Sequence, residues 1–145
     1  MTDQRIGSVI CNYKIIRSLG RGGMAIVYLA EHVEIPGQYR AIKFLPEEFT
    51  SSKLLRDRFH KEAEIMASLK HPNIVSVDNY GVEPGGAGCQ GDVYYFLMEY
   101  VEGEDLSKHL KSRGRLPVKD CVTLGIAIAS ALQYAHRFSP PVIHR

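Results

Sequence analysis

LGRGGMAIVYLA, residues 19–30, is the stretch on which the fold of this 145-residue chain turns. Gly20 and Gly22 begin a G-x-G-x-x-G pattern, Gly23 adds a third glycine, and Ala25 stands where the pattern would end. Glycines in such a loop let backbone N–H groups approach phosphate oxygens with no Cβ in the way. Two nucleotide-binding layouts use them. A dinucleotide fingerprint runs strand, glycine turn, then helix, with an acidic residue about twenty positions further on. Here the turn is followed by Ile26, Val27 and Tyr28, Pro36 arrives before a crossover helix could finish, and Arg40 stands where the acid belongs. An oxidoreductase holding NADP through Arg40 is therefore a poor fit. The spacing predicts strand–loop–strand.

Working outward, YKIIRSL (13–19), IVYLAEHV (26–33) and QYRAIKFL (38–45) read as three strands of an antiparallel meander, broken at Pro36-Gly37 and Pro46. From Ser52 to Lys70 the period becomes helical, with Leu55, Phe59, Met66 and Leu69 predicted on one buried face and Lys70-His71-Pro72 as the stop. NIVSVDNYG (73–81) and DVYYFLMEYV (92–101) return to strand character, and VEPGGAGCQG between them reads as a plain hairpin loop. Two helices follow, from about Asp105 to Gly114 and from about Val118 to Phe138, the second stopped by Pro140-Pro141. Between Cys121 and Ala135 only Thr123, Ser130 and Gln133 are polar. A helix apolar all round belongs inside a larger body, and this one is too short to prefer a membrane.

The third strand contains Arg40-Ala41-Ile42-Lys43. Alternation puts Lys43 on the face of Ala41, so an inward Ala41 carries an ammonium inward with it. A buried ammonium needs a negative partner. Glu62 falls within the Leu55–Phe59–Met66–Leu69 stripe and is the predicted partner, whereas Glu64 is rotated towards solvent. Lys43 and Glu62 are thus the candidate catalytic pair.

Bulk composition narrows the classes. Eighteen Lys and Arg against sixteen Asp and Glu, with no dense basic block, argue against a nucleic-acid binder. Three scattered cysteines give no disulfide framework, and the six histidines show no metal-ligand spacing. No signal peptide or membrane-length apolar run is present, so a cytoplasmic chain is expected.

LGRGGMAIVYLA, AIK (41–43), the Glu62 helix followed by HPNIV (71–75), MEYVEGEDL (98–106) and VIHR (142–145) together resemble the amino-terminal part of a bacterial eukaryotic-like serine/threonine protein kinase domain. The resemblance runs from Tyr13 to the end of the chain. It implies an α+β fold in which 1–12 is an extension, 13–101 a lobe of five antiparallel strands with one helix plus a hinge, and 102–145 the start of a second lobe. It implies ATP as ligand, under a loop of Gly20, Arg21, Gly22, Gly23, Met24 and Ala25, with adenine sandwiched by Leu19, Val27 and Ala41. Lys43 would contact phosphates and pair with Glu62, and Met98 would act as gatekeeper. Backbone groups of Glu99 and Val101 would meet the adenine edge, with Asp105 near the ribose. Met66, Val77 and His144 would stack in a hydrophobic spine.

Two departures stand out: Ala25 replaces a glycine, and Arg40 replaces the usual apolar residue before Ala-Ile-Lys. The family's catalytic loop reads H-R-D-L-x-x-x-N, and this sequence reaches His144-Arg145. The catalytic Asp and the Mg2+ ligands are therefore expected beyond Arg145, and these 145 residues alone are expected to phosphorylate no protein substrate. The competing expectation is a short, non-catalytic module that binds a partner kinase. Many relatives carry a later membrane span, so a membrane-anchored parent stays open.

Overall fold

The structure, a computed structural model, describes residues 4–22, 25–45, 53–83 and 92–143. Gly23, Met24, His144 and the loop residues from Pro84 to Gly91 lie outside them, as do the side chains of Leu55 and Arg58. Two compact units divide the chain: residues 1–68 with 76–100, and residues 69–75 with 101–145.

The first unit is built on six antiparallel strands in the order β1-β2-β3-β4-β6-β5. They are β1 (Val9–Ile10), β2 (Tyr13–Gly22), β3 (Ala25–His32), β4 (Tyr39–Phe44), β5 (Val77–Glu83) and β6 (Val93–Glu99). The five expected strands are all there. The sixth, β1, comes from the amino-terminal extension, which turns into β2 through Cys11 and Asn12 at φ 47° and 66°. Positive φ at both central residues is what a two-residue hairpin needs to match strand twist. This extension is part of the core: Ile10 is buried, and the Arg5 guanidinium sits 4.8 Å from the centre of the Phe44 ring.

Strand alternation sorts the apolar side chains into two cores. On one face Ile10, Tyr13, Ile15, Tyr28, Ala30, Ile42, Phe44, Val93, Tyr95 and Leu97 form a single cluster. On the other, Val77, Tyr94 and Phe96 pack against Phe59 and Ala63 of helix α1 (Lys53–Ser68). Because β6 is buried on both faces, its sequence VYYFLM lacks the polar alternation of a half-exposed strand. Burial, then the neighbouring Cys11 thiol, pushes the Tyr95 hydroxyl well above the usual phenol range.

The face of α1 that meets the sheet differs from the expected one. Phe59 and Ala63 are buried with Ala67 beside them, Met66 is 37% exposed, and Glu62 is exposed. Leu69 falls past the helix end and is buried as part of the second unit. The reason is steric. The sheet beneath presents the large rings of Tyr80, Tyr94 and Phe96, with Phe96 4.8 Å and Tyr94 5.1 Å from the Phe59 ring. Against so bulky a floor, the i, i+4 row Phe59–Ala63–Ala67 lets the helix approach on methyl groups, whereas a row of longer side chains would hold it off.

In the second unit, α2 (Leu106–Arg113) is capped by Asp105, whose Oδ1 accepts from the Lys108 N–H at 2.8 Å, and ends at Gly114 with φ 82°. Helix α3 (Val118–His136) carries residues 70–73 on its flank. The Lys70 N–H donates to Tyr134 Oη at 3.1 Å, and the His71 ring lies 5.3 Å from that of Tyr134. His71 Nδ1 accepts from the Asn73 N–H, which leaves Nε2 as the ring nitrogen that donates to Ser130 Oγ at 3.1 Å. Within α3 only Ala135 is buried; Val122, Ile126 and Ile128 are exposed.

Candidate functional site

The glycine stretch is a β-hairpin tip. Gly20 pairs with Val27, Arg21 with Ile26 and Gly22 with Ala25, so β2 runs directly into β3. No helix follows the turn, and a dinucleotide pyrophosphate would find no helix N-terminus there. Gly23 and Met24 lie outside the described residues. A register shift between Ser18 and Gly20 places the half-buried Leu19 at a bulge, which bends β2 towards the tip. A Cβ added at Gly20 would meet nothing within 4 Å. The fold itself does not require a glycine at that point.

From the hairpin, two rows of residues cross the sheet. In the first, Val27 pairs with Lys43, Lys43 with Phe96, and Phe96 with Tyr80. In the second, Leu29 pairs with Ala41, Ala41 with Met98, and Met98 with Val77. Both rows lie on the face that carries α1, since Phe96 and Val77 pack there with Phe59 and Ala63. Alternation therefore gathers Val27, Ala41, Lys43 and Met98 on one surface beside the glycine hairpin. Ala41 is buried, while Val27, Lys43 and Met98 are half-buried.

Glu62 is on the helix above this surface, but one position from the buried Ala63, so it is turned about 100° from the packed row. Among the ion pairs of the described residues none joins it to Lys43. Glu64 is exposed, as expected. Met66 faces solvent, and Val77 is fully buried in the core under α1.

Glu99 closes β6. Its N–H donates to Ser76 O at 3.0 Å, and its carboxylate accepts from the Ser76 N–H and hydroxyl, both at 3.4 Å. Val101 and Asp105 belong to the second unit, where Val101 is exposed and Asp105 caps α2. The Lys108 N–H, with a smaller contribution from the Lys108 ammonium, holds the Asp105 carboxyl below the ordinary aspartate range. Among the described residues there is no group of three His, Cys, Asp or Glu side chains that could hold a metal ion, and no helix is long and apolar enough to cross a membrane.

Two features of this part of the sheet were not anticipated. Phe96 and Leu29 flank Lys43 and Ala41, a placement set by strand register. Arg40, outwardly a stray charge, forms an ion pair with Asp78. The first has no signal in a single sequence; the second had only Arg40's misfit with its apolar neighbours.

Comparison with known proteins gives a consistent answer. The model of the protein kinase domain matches residues 13–145. Serine/threonine-protein kinase PrkC of Bacillus subtilis is 38% identical over 133 residues, which is 92% of this chain and 19% of that protein. A probable serine/threonine-protein kinase of Clostridium perfringens, CPE1738, is 37% identical over 141 residues, 97% of this chain and 19% of its own length. The crystal structure of the Mycobacterium tuberculosis PknI kinase domain superposes with a TM-score of 0.71 at 34% identity, covering 91% of this chain and 51% of that one. The chain thus spans about a fifth of the length of the curated relatives it matches.

Proposed function

Because the chain belongs to the protein kinase domain family, we propose that its first unit is the ATP-binding part of a serine/threonine protein kinase. The observation that carries this reading is the placement of Lys43. Its half-buried side chain stands on the α1 face between Val27 and Phe96, beside a glycine hairpin whose Gly20 backbone is open to approach. A triphosphate laid under the hairpin would meet backbone N–H groups from Gly20 to Ala25 and the Lys43 ammonium. Leu19, Val27 and Ala41 would enclose the adenine, with Met98 at the back and the Glu99 backbone at its edge. The roles of Val101 and Asp105 rest on the family resemblance.

Kinases of this family use ATP with Mg2+, and the metal supplies charge neutralisation at the phosphates. In this reading its ligands lie among residues other than those described. Pairing of Glu62 with Lys43 requires α1 to turn about its axis, lifting Ala63 off Phe96 and bringing the carboxylate over the sheet. In the family, substrate positioning and the catalytic base are assigned to residues that follow His-Arg, and the reading proposed for this unit is of nucleotide binding.

The test is a calorimetric titration of the chain with ATP, beside Lys43→Met. Binding that weakens about tenfold or more in the variant (roughly 1.4 kcal/mol) supports the site. Equal affinity of the two proteins refutes it.

A further inference from the structure

Arg40 lies in β4 opposite Glu99 of β6, and its side chain leaves on the face away from α1, with Ile42 and Phe44. Its Nε donates to Asp78 Oδ2, and its Nη1 donates to Tyr39 O at 2.9 Å. Asp78 belongs to β5, which is not a neighbour of β4: the order there is β4-β6-β5. The ion pair therefore spans β6, a distance of two strand spacings, or about 10 Å.

A break in register lies at the far end of this reach. Val77 pairs with Met98 and Asn79 with Leu97, so Asp78 is an extra residue. Without the bulge, Asn79 would share the α1 face with Val77. With it, Asn79 turns to the other face and donates to Cys11 Sγ, while Asp78, the extra residue, pairs with Arg40. The two side chains are 29% and 33% exposed, which shields them from full solvent screening.

β6 is straddled at a particular place. Beneath the bridge are Met98, paired with both Ala41 and Val77, and Glu99, whose N–H is already bonded to Ser76 O. We propose that Arg40 and Asp78 are positioning residues of the nucleotide site, forming a strap across β6 that holds Met98 and the Glu99 backbone in register for the adenine. The inference rests on the ATP-binding reading above. Neither side chain touches the nucleotide; both act through the strand they cross.

The strap and the nucleotide site are read separately by two experiments on the whole 145-residue chain. The proteins are Arg40→Leu, Asp78→Asn and the reversed pair Arg40→Asp with Asp78→Arg. Hydrogen exchange in the absence of nucleotide is expected to quicken about two- to fivefold in peptides covering Leu97–Tyr100 in each single variant, the range of one partly exposed ion pair. Exchange elsewhere in the sheet is expected to stay unchanged, and the reversed pair to restore the slow rate. Titration with ATP is expected to show a similar two- to fivefold loss in each single variant, again restored by the reversed pair. Inorganic tripolyphosphate, which has no adenine to place, is expected to bind all four proteins alike.

Unchanged exchange at Leu97–Tyr100 overturns the strap. Altered exchange with unaltered ATP affinity, or equal losses for ATP and tripolyphosphate, reduces it to a structural tie and overturns the positioning role. If the unsubstituted chain takes neither ligand, the ATP-binding reading falls and the positioning role with it, while hydrogen exchange still decides whether the strap exists.

Discussion

Lys43 and Phe96 stand opposite each other in adjacent antiparallel strands, on the face of the sheet that carries α1. The Phe96 ring in turn lies 4.8 Å from the ring of Phe59. The candidate phosphate-binding lysine is thus one side chain removed from the contact that seats the helix.

Phe59 is therefore expected to matter for stability and Glu62 to matter little. Phe59→Ala deletes a ring held among Tyr80, Tyr94 and Phe96, and a large-to-small change of this kind costs about 3–5 kcal/mol. Glu62→Ala removes an exposed side chain and is expected to change stability by less than about 0.5 kcal/mol. Urea unfolding of the two variants, with m-values compared, checks both.

At the glycine hairpin stability and binding should separate. Since a Cβ at Gly20 meets nothing within 4 Å, Gly20→Ala is expected to leave the melting temperature where it was, or to raise it slightly by restricting the unfolded chain. The same methyl stands where phosphate oxygens would approach, so ATP affinity should fall about tenfold (roughly 1.4 kcal/mol). A variant that lost stability and kept its affinity would show Gly20 to be a folding residue only.

Gly81 presents the opposite case. A Cβ there would lie 2.7 Å from Tyr95 Oη and 3.0 Å from the ring carbon that bears it. Gly81→Ala is expected to destabilise the chain by about 1–3 kcal/mol, the range for overpacking a filled core. Adding Tyr95→Phe removes the nearest clashing atom and should recover part of the loss. Thermal unfolding of the two single variants and the double variant measures this coupling.

What could be read from the residues, and what could not, follows from the range of the forces concerned. Element types came from local pattern. The glycine tip between Leu19 and Val27, the Pro36-Gly37 break and the Asp105 and Gly114 helix ends all reflect backbone preferences within a few residues. Placing Lys43 with Ala41 needed only the period of a strand. Seating α1 did not work that way. Met66 is more apolar than Ala63 or Ala67, yet the alanines face the sheet, because Tyr80, Tyr94 and Phe96 come from strands remote in sequence and fill the space first. Arg40 points away from the nucleotide face. Its partner, Asp78, stands 38 residues later in a strand that is not its neighbour, and no local period announces such a pairing.

Asp105 provides the pH-dependent prediction. Its carboxylate caps α2 by accepting the Lys108 N–H, and that bond, followed by the Lys108 charge, lowers its pKa in the folded chain. A carboxyl whose folded pKa lies below its unfolded value stabilises the fold above the unfolded pKa, about 3.9 for aspartate. That contribution is lost as pH falls through the still lower folded value. The first turn of α2 should accordingly fray below about pH 4 while remaining intact at neutral pH. Asp105→Asn keeps a side-chain oxygen that can accept the same N–H but cannot titrate, so its first turn should be as ordered at pH 3 as at pH 7. NMR carbon shifts at Leu106–Lys108 across this range provide the measurement. Fraying of both proteins in parallel would place the acid sensitivity elsewhere in the second unit, and no fraying in either would show that the cap is dispensable.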